Sequence, residues 1–137
     1  MKIINNTFFL RFSIAIILLA HSIPSFLDNS INDFGNLYLN QNGFAPVGVY
    51  IAWAIKISHV VAALCLLLEK YVKLVSIVTI FILLMGIIMV HYQEGWYVVG
   101  GGRNGVEFNF LLIFVFLTLI FPKDIATTKD DVQKQIQ

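Results

Sequence analysis

Four apolar runs, each close to the length that a helix needs to cross a lipid bilayer, constrain this chain more than any other feature. They cover residues 8–27, 46–68, 72–91 and 106–121. A bilayer core about 30 Å thick requires roughly 20 apolar residues in a helix, and the 16 residues of the last run would span about 24 Å. We therefore predict an all-α membrane protein, a bundle of four transmembrane helices.

The composition agrees with lipid as the main solvent. Hydrophobic residues make up 58% of the chain and charged residues 12%, whereas an ordinary soluble domain has about 25% charged residues. So little charge excludes most small soluble folds and any disordered class. The net charge of +1 implies no nucleic-acid partner, and a single cysteine, Cys65, allows neither an internal disulfide nor a cysteine-rich metal site.

Prolines and polar segments divide the runs. Pro46 suits a helix start and Pro122 ends the last run, so we predict a membrane domain over residues 1–122 and a polar cytoplasmic tail over residues 123–137. Residues 29–45 are too polar to span but have apolar side chains at helical spacing, which predicts a short amphipathic helix at the membrane interface. Its predicted apolar residues are Ile31, Phe34, Leu37 and Tyr38.

Lysine and arginine are distributed unevenly between the two sides of the predicted bundle. Four spans place both termini on one side, which carries seven of these residues, whereas the other side has Arg103 alone. The positive-inside rule predicts that both termini are cytoplasmic and that residues 29–45 and 92–105 face outward. A signal peptide is the alternative for the first run, but Arg11 lies late for the basic region that begins one.

Ionisable residues inside the runs are candidates for function, because each costs about 2.5–3.5 kcal/mol at the bilayer centre. Lys56 lies about 15 Å into the second run, and His59 follows one turn later on the same face. Lys56 needs an acceptor from another helix or loop unless it is uncharged. Two interpretations stay open: a buried site for an anionic or carbonyl-bearing ligand, and a hydrogen bond between helices. For Arg11, near the cytoplasmic end of the first run, we expect snorkelling.

Four further polar residues belong to the outward half of the bundle. His21 and His91 lie in the outer halves of the first and third runs, and Glu107 and Asn109 begin the fourth. We expect them to converge beneath the outer loop, where histidine carries protons near neutral pH. Their spacing has no metal-ligand signature, so we predict no metal. The alternative is that His91 and Glu107 only cap membrane helices at the interface.

The loop between the third and fourth runs is rich in glycine. Three consecutive glycines, residues 100–102, permit positive φ and close backbone approach. Arg103 and Asn104 follow, just before a helix N-terminus that favours an anion or a polarised carbonyl, and Trp96 suits the aromatic belt of a membrane interface. The alternative is a flexible hairpin in which Arg103 pairs with Glu107 at i,i+4 spacing.

The order of these features resembles the DoxX family of small bacterial membrane proteins. An early arginine (Arg11), a histidine near the end of the first span (His21), a histidine closing the third (His91) and a glycine-rich run leading to Glu107 carry the resemblance, which covers residues 11–121. It implies a four-helix bundle in the bacterial inner membrane and an oxidoreductase role, since some members are subunits of a thiosulfate:quinone oxidoreductase. Members often carry an acidic residue in the second span, where this chain has a lysine and a histidine.

Two functions follow from these residues and this resemblance. The first is an oxidoreductase subunit that binds a quinone within the bundle; because the chain has no haem or flavin signature, it requires a redox partner subunit. The second is a non-enzymatic accessory or assembly factor, or a small transporter. In a third interpretation the polar residues only hold the helices together. Further partners are the lipid bilayer and other copies of the chain.

The candidate residues form two overlapping sets. The catalytic candidates are His21, Lys56, His59, His91 and Glu107. The candidate ligand-binding residues are Lys56, Trp96, Arg103, Asn104, Glu107 and Asn109.

Overall fold

A computed structural model describes residues 6–122, and within that range every regular element is helical. The predicted tail, residues 123–137, lies outside the described residues, as does Lys2. The chain forms two compact units, Met1–Ile82 and Leu83–Gln137, which are described separately below.

The first unit is built on two long helices that pack against each other. Helix α1 covers Phe8–Leu27, the range predicted from the sequence, and α3 covers Gly48–Leu67, two residues shorter at its start than the predicted run. Small side chains lie in the buried faces of both helices and allow the backbones to approach closely. The buried residues include Ala15 and Ser22 on α1 and Ala52, Ala62 and Ala63 on α3. The large apolar side chains on the opposite faces are exposed, as is expected of helices surrounded by lipid.

The segment between these helices is helical, as predicted, but its turns differ in width. Helix α2 covers Ser30–Asp33, continues as a π-helix over Phe34–Leu39 and ends in a 3-10 turn over Asn40–Asn42. Of the apolar residues named from the sequence, Ile31 is buried and Leu37 is 63% exposed, whereas Leu39, which was not among them, is buried. The π turns are wider than α-helical turns and change which side chains share a face. For this reason α-helical spacing selected Leu37 where the buried residue is Leu39.

Close backbone contact fixes this segment to the start of α3. A Cβ atom at Gly48 would lie 2.5 Å from both the side-chain oxygen of Asn40 and the carbonyl oxygen of Gly35, and one at Gly35 would lie 2.5 Å from Cα of Val49. Asn40 also accepts a hydrogen bond of 2.9 Å from the Gly48 backbone N–H. Only glycine fits at both positions.

The third apolar run forms a single helical stretch. Helix α4 covers Val72–Gly86 and continues through a π-helix over Ile87–His91 and a 3-10 turn over Tyr92–Glu94. A tight turn joins α3 to α4, in which Glu69 and Tyr71 have φ of 55° and 54°. A short turn therefore connects the second and third apolar runs.

The fourth run forms the shortest of the long helices. Helix α5 covers Glu107–Ile120, 14 residues, which corresponds to about 21 Å of helix. In the part of the chain that the structure describes, three helices are long and apolar enough to cross a membrane, and α5 is apolar but shorter. The chain is thus an all-α, multi-pass membrane protein, and a fourth crossing by α5 stays a prediction.

Candidate functional site

Lys56 connects the two long helices of the first unit. Its Nζ donates a hydrogen bond of 2.6 Å to the backbone carbonyl oxygen of His21 on α1. Lys56 lies eight residues beyond Gly48, about 12 Å along α3. The acceptor for the half-buried Lys56 is therefore a main-chain oxygen of the neighbouring helix, and this hydrogen bond links α1 to α3.

His59 presents buried polar atoms near the middle of α3. Both ring nitrogens are shielded from solvent and have no hydrogen-bond partner among the described residues. The ring lies within electrostatic reach of Lys56 and His21. Buried polar atoms without partners are uncommon in native structures, and a neutral imidazole has one N–H donor and one acceptor nitrogen. We refer to His21, Lys56 and His59 together as the α1–α3 polar site.

Asp28 follows the last residue of α1 and adds a negative charge near this site. Its carboxylate accepts a 2.9 Å hydrogen bond from the backbone N–H of Ser30. Hydrogen bonds from the Ser30 hydroxyl, and then from the Ser30 backbone, lower the pKa of Asp28 below its ordinary 3.8. Asp28 and Lys56 also lie within electrostatic reach of each other. Asp28 was not among the residues predicted from the sequence, although an aspartate two residues before a serine at a helix end is a recognisable turn signal.

Snorkelling was expected for Arg11, but its side chain does not reach solvent. Its side chain is 2% exposed; Nη1 donates to the carbonyl oxygen of Leu66 at 2.6 Å, and Nη2 lies 3.3 Å from Oε2 of Glu69. Nε donates to the hydroxyl of Thr7 at 3.2 Å. The guanidinium thus satisfies a carbonyl at the end of α3 and one carboxylate in the turn after it, which explains why it is buried rather than extended to solvent.

In the second unit, Glu107 organises the glycine-rich loop. Its carboxylate accepts a 2.7 Å hydrogen bond from the Val98 backbone N–H. Its own backbone N–H donates to the Trp96 carbonyl, and that of Val106 to the Gly95 carbonyl, both at 3.0 Å. Two backbone donors at the start of α5 are therefore occupied by the chain itself, which weakens the expectation that this helix end binds an anion.

The aromatic and basic residues of the loop have separate roles. The Trp96 ring packs against that of Phe110, with centroids 5.4 Å apart. Arg103 is 85% exposed and its Nε lies 4.0 Å from Glu94 Oε2. The alternative interpretation paired Arg103 with Glu107; that pairing is wrong, because the Glu107 carboxylate is directed to a backbone N–H on the other arm of the loop.

His91 and Asn109 approach the same glycine. The Nδ1 atom of His91 lies 2.5 Å from the carbonyl oxygen of Asn104, a residue with φ of 57°. Asn109 is buried near the start of α5. A Cβ atom built at Gly86 would lie 3.5 Å from the Asn109 amide nitrogen and 3.9 Å from Nε2 of His91, so both side chains border one small space.

The predicted residues belong to both units of the chain. His21, Lys56 and His59 lie in the first unit, and His91, Asn104, Glu107 and Asn109 lie in the second. Residues 6–122 include no group of three or more His, Cys, Asp or Glu side chains placed to hold a metal ion.

The helices and the buried polar groups define the class as a polytopic helical membrane protein with ionisable residues inside its spans. The DoxX family model matches residues 7–92, which is more than half of the chain, and the chain belongs to the DoxX family. The match includes Arg11, His21 and His91 and ends before the glycine-rich loop. Comparison with curated proteins and with solved structures found no match.

Proposed function

We propose that this DoxX-family protein is the membrane subunit of a bacterial inner-membrane oxidoreductase and binds a quinone at the α1–α3 polar site. One observation carries the proposal: both ring nitrogens of His59 are buried near the middle of a membrane-length helix and lack a partner among the described residues. A buried polar group left unpaired costs about 1–3 kcal/mol. A ligand that pairs with the ring offsets this cost.

A quinone matches the chemistry of the site. It is an apolar ring with two carbonyl oxygens, so it reaches a mid-membrane site through the lipid, and each oxygen accepts a hydrogen bond. The N–H of His59 is the donor to one oxygen. The positive charge of Lys56, held at the carbonyl of His21, stabilises the negative charge that develops when that oxygen is reduced.

In this role the chain supplies binding and protons, whereas electrons come from a partner subunit. Reduction of a quinone to a quinol takes two electrons and two protons. His59 donates its ring proton to the reduced oxygen and is then reprotonated through neighbouring polar groups. Asp28, at the end of α1 and within electrostatic reach of Lys56, is the charged group through which this path meets the aqueous phase.

The test measures quinone content and stability in parallel. The protein is extracted in a mild detergent, and quinone bound per protein is quantified by mass spectrometry for the wild type, H59L and H59Q. We expect H59L to lose bound quinone by about tenfold or more, since one hydrogen bond in a dry site is removed. H59Q keeps a hydrogen-bond donor and should retain part of the bound quinone.

The matched control is S58A, which removes a neighbouring hydroxyl that donates to the Ile55 carbonyl of its own helix. It should retain quinone. Because the ring nitrogens of His59 have no hydrogen-bond partner within residues 6–122, H59L should be at least as stable as the wild type. If H59L unfolds at a lower temperature and quinone content is unchanged, His59 is a structural residue and the quinone proposal is wrong.

A further inference from the structure

The turn between α3 and α4 places two lysines at a membrane surface. It joins two helices that are each long and apolar enough to cross a bilayer, so residues 68–71 lie at the boundary between lipid and water. Lys70 in this turn and Lys73 in the first turn of α4 are both exposed. Tyr71, between them, is also exposed, and tyrosine is enriched at the headgroup level of membranes. We refer to Lys70, Tyr71 and Lys73 together as the lysine turn.

The positive charge of the lysine turn is not balanced by its neighbours in sequence. Glu69 is the only acidic residue between Asp33 and Glu94. Its carboxylate lies 3.3 Å from Nη2 of the buried Arg11, so the negative charge closest in sequence is already paired. Both lysines also adjoin the N-terminal end of α4, where the helix dipole disfavours cations. An anion bound by the two lysines offsets both costs.

An exposed apolar stripe on α4 begins next to the lysine turn. Ile77 and Phe81 follow Lys73 at intervals of four residues and therefore share one face of the helix with it. Leu74 and Val78 lie beside them, and all four apolar side chains are exposed. The helix from Lys73 to Phe81 is about 12 Å long, which fits within one leaflet of a bilayer core roughly 30 Å thick.

A basic surface joined to an apolar stripe discriminates between anions. A free phosphate contacts the lysines alone and leaves the stripe uncovered. A zwitterionic phospholipid covers the stripe, but its own ammonium group cancels the charge of its phosphate. An anionic phospholipid has a net negative headgroup and acyl chains in one molecule, and basic clusters at a membrane surface attract such lipids.

We propose that the lysine turn and the exposed stripe on α4 bind an anionic phospholipid of the surrounding bilayer. The headgroup phosphate accepts charge-assisted hydrogen bonds from the ammonium groups of Lys70 and Lys73, and the acyl chains cover Ile77 and Phe81. The surface uses none of the residues of the α1–α3 polar site. It depends neither on the quinone proposal nor on whether α5 crosses the membrane.

The experiment measures which lipids stay with the full-length protein. The protein is reconstituted in vesicles of equal amounts of phosphatidylglycerol and phosphatidylethanolamine with the same acyl chains, and is then extracted in a mild detergent and washed. Mass spectrometry quantifies the retained lipids. A lysine near the membrane surface contributes about fivefold, so we expect the wild type to retain phosphatidylglycerol over phosphatidylethanolamine by about tenfold or more.

Three variants separate a site from a general effect of charge. K73Q should lower the enrichment about fivefold, and K70Q/K73Q should lower it further. K70R/K73R keeps both charges and should retain the enrichment. The matched control for K73Q is R103Q, which also removes one exposed cation but from a side chain with a carboxylate at 4.0 Å; it should leave the enrichment unchanged.

Four results would overturn the proposal. The first is equal retention of the two lipids by the wild type. The second is undiminished enrichment in K70Q/K73Q, and the third is an equal loss in K73Q and R103Q, which indicates a response to net charge alone. The fourth is displacement of phosphatidylglycerol by an equimolar amount of glycerol phosphate, because that soluble headgroup has no acyl chains to cover the stripe.

Discussion

Burial separates two arginines that the sequence presents as similar. Arg11 and Arg103 each lie near a predicted membrane boundary and each have a glutamate close by. Arg11 is buried and contacts Thr7, Leu66 and Glu69, whereas Arg103 is exposed with a carboxylate at 4.0 Å. Buried charge-assisted hydrogen bonds contribute more to stability than exposed ion pairs do. The two residues therefore give a direct comparison.

We expect R11Q to lower the free energy of unfolding by about 2 kcal/mol, because the Leu66 carbonyl and Glu69 lose a charged donor. R103Q should change it by less than about 0.5 kcal/mol, since an exposed pair is screened. Denaturant titration in mixed micelles measures both values. Equal effects of the two variants would show that Arg11 is not held as described.

Asp28 gives a prediction about pH. Its pKa is lowered first by the Ser30 hydroxyl and then by the Ser30 backbone N–H, so its stabilising bonds are complete above pH 3.8 and are lost as the pH falls through the lower, folded-state pKa. In S30A we expect the pKa to rise toward 3.8 but not to reach it, because the backbone donor remains.

A carboxyl 13C titration by NMR measures the Asp28 pKa. The control is S13A, whose hydroxyl bonds to the Phe9 carbonyl within α1 and should leave the pKa unchanged. An identical Asp28 pKa in the wild type and S30A would show that the hydroxyl bond does not form in solution.

At the scale of elements, the segment α2 and the first turn of α3 depend on two glycines. Helical spacing correctly predicted a helix after residue 29, but no periodicity in a sequence shows that the Gly35 and Gly48 backbones must touch another chain segment. The contact depends on the crossing of two elements. For the same reason, the apolar residues predicted for this segment include the buried Ile31 but not the buried Leu39.

We expect G48A to destabilise the protein by about 1–3 kcal/mol, because the new Cβ would lie 2.5 Å from a backbone carbonyl oxygen and an asparagine oxygen. G86A is the matched control, since its Cβ makes ordinary contacts and alanine is the better helix former. Thermal unfolding followed by circular dichroism compares the two variants. Destabilisation of G86A by as much as G48A would contradict the close packing at Gly48.

At the scale of the whole molecule, three apolar helices in the described part of the chain are long enough to cross a membrane, and α5, at 14 residues, is shorter. The distribution of lysine and arginine predicts four crossings with both termini in the cytoplasm. A shorter helix crosses only where the bilayer is locally thin or its ends are extended. The number of crossings is thus the principal property of the molecule to be measured.

Single-cysteine reporters in a C65S background measure the topology. With a membrane-impermeant maleimide on intact bacterial cells, we expect labelling of V99C and no labelling of K70C or T128C until the cells are permeabilised. Residue 128 belongs to the tail outside the described residues. Labelling of T128C from outside, with K70C protected, would show that α5 does not cross and that the chain has three spans.

The sequence by itself determined the class of protein, the family and, to within two residues, the bounds of the long helical stretches. These depend on local properties: a bilayer sets the length of an apolar run, and lipid forces backbone groups into helices. The tertiary structure decided which polar groups meet. Lys56 and the His21 carbonyl are 35 residues apart and Arg11 and the Leu66 carbonyl 55 residues apart. Such pairs form only when two helices pack in one rotation and register, which composition and spacing do not specify.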